Sequence, residues 1–140
     1  MTLVVGIILA AVSIPVVQSS LKFFRIRSAV SSVTGAIQST RYRAIFDGCP
    51  YTLTFDNSAN TFQIASETTT GNGCAVSFTN VGMAVPLGST AIAMNQRVTL
   101  QFKPSGYVQA TTGPTTFTLT YGSTTKTVPV SAYGNINVTP

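Results

Sequence analysis

The chain contains no histidine and no tryptophan, and only three of its 140 residues are acidic. Without histidine there is no Ser-His-Asp relay, and neither cysteine has an imidazole to activate it. Asp47, Asp56 and Glu67 are too dispersed to propose as a carboxylate pair for acid–base work, and metal sites lose their commonest nitrogen ligand. These absences point to a protein that is not an enzyme and holds no cofactor. Charge is scarce too: 8% of residues are charged, against roughly 25% in an ordinary soluble domain. Thr, Ser, Asn and Gln supply the remaining polarity, and a threonine-rich surface suits strands, because β-branched side chains fit a pleated sheet.

What the chain does have is apolar length at its start. Met1 to Val17 reads MTLVVGIILAAVSIPVV, and the first charge is Lys22. At about 1.5 Å per residue such a helix is just short of a comfortable bilayer span of about 20 residues. Three readings compete. A secretory signal starts with positive charge, and none precedes the run. A buried core helix is rarely so long and uninterrupted. The preferred reading is a transmembrane anchor whose first residues lie upstream of Met1. Its candidate assembly face is Val4, Val5, Ile7, Ile8, Leu9, Ile14 and Val17. Pro15 removes one helical hydrogen bond, which a membrane bundle tolerates.

The helical period continues beyond the run. From Leu21 to Phe46 the apolar positions Phe23, Ile26, Ala29, Val30, Val33, Ile37, Ala44 and Ile45 recur mostly at steps of three or four. Asp47-Gly48, with Pro50 beyond, reads as the helix end. The segments expected are therefore residues 1–21 as a membrane or filament-core helix, 22–48 as its amphipathic continuation of one helix roughly 70 Å long, and 49–140 as a β-rich head. Five of the eight basic residues crowd into the continuation. Lys22, Arg25 and Arg27 are candidates for contact with lipid headgroups or phosphate, whereas Arg41 and Arg43 read as a solvated helix face. By charge alone this cluster would sit on the cytoplasmic side. A basic leader upstream of Met1 would overrule that placement.

After Pro50 the period changes to two. Tyr51, Leu53 and Phe55 alternate with threonines. Asp56 to Asn60 turns the chain into a return strand with Phe62 and Ile64. Further strands are expected around Val76 and Phe78, from Arg97 to Lys103, from Tyr107 to Ala110, around Phe117 to Tyr121, from Lys126 to Ser131 and from Asn135 to Thr139. Val81 to Gln96 offers no long element, being interrupted by Gly82, Pro86 and Gly88. About eight short strands imply an antiparallel sandwich or two packed sheets. Cys49 and Cys74 suit one disulfide in an oxidising compartment, the alternative being two buried thiols in a sheet.

Several stretches resemble a known family. The plan of an apolar helix, an amphipathic continuation and a small β domain is similar to that of type IV pilins and type II secretion pseudopilins. Ser39 to Gly48 (STRYRAIFDG) resembles the helix end "A-R-x-x-A-I-x-x-G" of the minor pseudopilin, GspH/FimT-like branch, with Thr40 where alanine is usual. Val98 to Gly106 (VTLQFKPSG) resembles its "F-x-P-x-G" segment. Val128 to Val138 (VPVSAYGNINV) resembles its terminal "V-x-V-S-x-x-G-x-x-x-V". The resemblance implies an α+β pilin fold, a long helix with a membrane-embedded first half packed on a small antiparallel β-sandwich-like domain. It implies a structural subunit of a type II secretion pseudopilus or type IV pilus, single-pass in a bacterial inner membrane, with the head in the periplasm or on the cell surface. The implied partners are other pilin or pseudopilin subunits, the inner membrane, and a prepilin peptidase that cleaves and methylates the precursor. The family's peptidase site and early glutamate would lie upstream of Met1. A FimT-like role in DNA uptake is the alternative. DNA-binding members carry basic residues in the last motif, where this chain has Gly134-Asn135-Ile136-Asn137, so a nucleic-acid partner is disfavoured.

Overall fold

The computed structural model describes residues 2–68, 73–89 and 91–140, with side chains in 19–67, 73–89 and 91–140. Among the described residues one helix, α1 (Thr2–Asp47), is followed by nine strands: β1 (Tyr51–Asp56), β2 (Thr61–Thr68), β3 (Cys74–Asn80), β4 (Val85–Pro86), β5 (Ile92–Met94), β6 (Val98–Phe102), β7 (Val108–Thr112), β8 (Thr116–Tyr121) and β9 (Thr124–Pro129). The α+β architecture expected from the change of period is present. Among the described residues no helix is long and apolar enough to cross a membrane. The apolar run and its seven candidate assembly residues, Val4 to Val17, lie outside the residues whose side chains are described.

The strands form two antiparallel sheets. The larger has the order β3-β2-β1-β6-β7, with β4 also paired to β2, and the smaller has the order β5-β8-β9. β1 is central because it is buried on one face and half-buried on the other. Tyr51, Leu53 and Phe55 are buried while Thr52 and Thr54 are partly covered. Leu53 sits opposite Ile64 of β2 and Leu100 of β6, so one row of apolar side chains crosses three strands. Phe55 joins the sheets, its ring centroid lying 5.2 Å from that of Phe117 on β8. α1 packs against β1, β6, β8 and β9 and closes a single core with Leu87, Ile92, Met94 and Val128.

The stretch from Val81 to Gln96 holds only the short strands β4 and β5, in keeping with its lack of a long element. One sequence expectation changes. The expected strand from Asn135 to Thr139 is reduced to two isolated bridges, Val130 with Ile136 and Thr127 with Thr139. The turn at Gly134 takes up the residues that a regular ladder would need.

The helix stripe also shifts. Buried positions are Ile26, Ala29, Val33, Ala36, Ile37, Thr40 and Ala44, whereas Phe23 and Ile45 are each 45% exposed. Thr40 enters the stripe because its hydroxyl donates to the Ala36 carbonyl at 2.6 Å, so that hydroxyl is not buried unpaired. The helix stops at Gly48, whose φ of +66° is the left-handed conformation of a C-terminal cap. Beyond it, the Tyr51 hydroxyl donates to the Asp47 carboxylate. Cys49 is bridged to Cys74, with their Cα atoms 5.5 Å apart, which ties the helix end to the edge strand β3.

Candidate assembly surface

Arg41 lies one turn past buried Ile37 and three residues before buried Ala44, on the margin of the stripe. Its aliphatic stem is therefore carried toward the head while its guanidinium reaches the rim. Two loops come down on it. The turn between β6 and β7 places Gly106 (φ +81°) where an added Cβ would lie 3.2 Å from Ile45 Cδ1 and 3.4 Å from Arg41 Nη2. The turn after β9 places Gly134 (φ +72°) where an added Cβ would lie 3.0 Å from Arg41 Cδ. At both positions the backbone needs φ > 0 and the arginine needs the space, so glycine serves twice.

The second turn is well fixed. Gly134 N–H donates to the Ser131 carbonyl at 2.8 Å, and Ser131 N–H to the Asn135 carbonyl at 3.0 Å. The Ser131 hydroxyl accepts from the amides of Tyr133 and Asn135 at 3.3 and 3.0 Å. Val108 N–H donates to the Ala132 carbonyl at 2.7 Å, which joins the turn to β7. The helix end, the F-x-P-x-G turn and the terminal glycine turn, distant in sequence, thus meet around one side chain. Sequence reasoning placed Arg41 on a solvated face. The available signal was its offset of four from Ile37, which puts it beside the apolar stripe.

Beside Arg41 is a cavity of about 320 Å³ lined by Gln38, Arg41, Tyr42, Gly134, Asn135 and Ile136. Arg41 Nε is buried and has no hydrogen-bond partner among the described residues. Around the helix from it, Tyr42, Arg43, Ile45 and Phe46 line a shallow apolar hollow, where Phe46 is 91% exposed. Aromatic surface of this kind, left open beside cations, marks a contact site rather than a core.

At the other end of the described helix, every residue from Ser19 to Arg25 is exposed, and Leu21, Phe23 and Phe24 present further apolar surface. The three candidate anion contacts there are disposed differently. Arg25 Nη1 donates to the Tyr121 hydroxyl at 2.6 Å, bracing the helix against β8. Arg27 stacks its guanidinium 4.5 Å from the Phe23 ring centroid. Lys22 is exposed. The head's cations are spread out: Lys103 lies over the Tyr107 ring, 5.7 Å from its centroid, while Arg97 and Lys126 belong to other parts of the surface.

Chemistry has little purchase on this surface. Asp56 is occupied as a turn residue, accepting from the Ser58 hydroxyl and from the amides of Ser58 and Ala59. These bonds, the Ser58 hydroxyl's first, hold its carboxyl below the usual aspartate range. Among the described residues no group of three His, Cys, Asp or Glu residues could hold a metal ion. The arrangement is suited to docking.

A family model described as type II transport protein GspH matches residues 29–134 of the chain. No curated protein and no solved structure matches. The matched span begins inside α1 and ends at Gly134, so it contains the Arg41 contact with both glycine turns.

Proposed function

The chain belongs to the type II transport protein GspH family, and on that footing we propose that it is a structural pseudopilin, a filament subunit that acts by packing. In this reading residues 1–21 lie in the inner membrane before assembly and in the filament core after it. Residues 22–48 continue the helix across the head, and residues 49–140 form a periplasmic head. Val4, Val5, Ile7, Ile8, Leu9, Ile14 and Val17 make the helix-to-helix contacts. A secretion pseudopilus is favoured over a surface pilus by the words that describe the matching family.

The observation that carries the reading is the extent of α1. Among the residues whose side chains are described, its buried stripe begins at Ile26 and every residue from Ser19 to Arg25 is exposed, yet the helix continues back to Thr2. An exposed apolar stretch of a regular helix, Leu21 with Phe23 and Phe24, suits partners outside the chain.

The test is substitution of Val5 or Ile8 by aspartate in the full-length protein. A carboxylate in the middle of an apolar bundle or membrane costs about 3 kcal/mol or more. Each variant should be lost from purified pseudopili while its head still folds. Incorporation at the wild-type level would overturn the proposal.

A further inference from the structure

We propose that the cavity between α1 and the Gly134 turn is a receptor for one carboxylate, supplied by an acidic side chain of a neighbouring, different subunit. Three observations carry it. Arg41 Nε is a buried donor with no partner among the described residues, and an unsatisfied N–H of a cation is costly unless something completes it. The cavity beside it is large enough for a side chain, at about 320 Å³. The Arg41 stem and guanidinium lie beneath the Gly106 and Gly134 turns, so close that an added Cβ at either would crowd them, and the two turns limit how far the fork can swing.

The lining selects the kind of anion. Arg41 is the only cation among the cavity residues, and Gln38, Tyr42 and Asn135 add neutral groups that can donate hydrogen bonds. One planar fork with neutral donors suits a singly charged, planar carboxylate, which it can bind with two parallel bonds. A phosphodiester backbone draws instead on several cations in a row, and this cavity has one.

The acid comes from outside the chain. Asp47 is engaged by Tyr51 and Asp56 by its own turn, Glu67 lies on β2, and none of the three lines the cavity. A second copy brings the same three acids and the same net charge of +5, so like copies repel. A subunit richer in acids fits. The exposed Tyr42, common to the cavity and to the apolar hollow of Phe46, would extend the contact. The assignment of the acid to a filament neighbour rests on the pseudopilin reading; the receptor itself does not.

The experiment follows the Arg41 Nε–H resonance in the full-length protein, labelled with ¹⁵N-arginine in detergent micelles. The probes are N-acetylglutamate α-amide, which carries a single carboxylate, and a short single-stranded DNA at matched ionic strength. The expected result is a saturable shift with the carboxylate and none with DNA. Asn135→Asp, which installs an internal acid at the exposed rim, should weaken the carboxylate response about tenfold or more. No saturable shift, an equal or stronger response to DNA, or an unchanged response in the Asn135→Asp protein would each overturn the proposal. Binding is read on the isolated subunit, so its failure leaves filament incorporation untouched, and failure of incorporation by the Val5→Asp criterion leaves the receptor standing.

Discussion

At the scale of single residues, Gly134 has two constraints that a side chain cannot meet together. Its φ is +72°, and the space above it is taken by the Arg41 stem. Gly134→Ala should therefore destabilise the head by about 1–2 kcal/mol, measured as a lower midpoint in urea. Removing the arginine in the same chain relieves the contact but not the backbone strain, so Arg41→Ala should recover only part of the loss. Neither constraint was legible beforehand. The glycine stands between two stretches that read as strands, Lys126 to Ser131 and Asn135 to Thr139, and a left-handed turn leaves no periodic trace. Thr40 was hidden for a related reason, since its hydroxyl is satisfied inside the helix and so can be buried. By contrast, the helix end at Asp47-Gly48 could be read because cap chemistry is local.

At the scale of elements, the long and regular parts were legible and the short ones were not. β1 and β6 alternate over enough residues to declare a buried face, and the helix repeats its stripe several times. β4 and β5 span two and three residues, at most one and a half cycles of the strand period and too few to declare it. The division into two sheets depends on pairing between distant strands, which no local pattern encodes. The Cys49–Cys74 bridge acts at this scale. It closes a loop with a sequence separation of 25, which by chain entropy contributes roughly 3 kcal/mol. Reduction should lower stability by about that amount. Hydrogen exchange should rise first in β3, because this edge strand is fastened at its start by the bridge and is exposed along its length. Uniform loss of protection across all strands would contradict that order.

At the scale of the whole molecule, scarcity of ionisable groups sets the response to pH. With no histidine, no side chain of ordinary pKa changes charge between about pH 5 and 8, so stability should be flat there. Asp56 is held below the usual aspartate range. A carboxyl depressed in the folded state contributes stability above its unfolded pKa and loses it as pH falls through the folded value. The stability curve should thus bend downward only on the acid side, and Asp56→Ala should shallow that limb. A denaturation series from pH 8 to 2 on both proteins measures it, and a slope near neutrality would show that some other group titrates.

The corner at Gly48 has a mechanical consequence. A head pulled along α1 receives the tension through Gly48 and Cys49. From there two covalent routes lead on. One runs through Pro50 into β1, in the middle of the larger sheet; the other crosses to Cys74 and β3, at that sheet's margin. β2 lies between them and is hydrogen-bonded to both. Traction is shared by three adjacent strands instead of peeling one, and the head behaves as a fitting with two rivets at the end of a stiff rod.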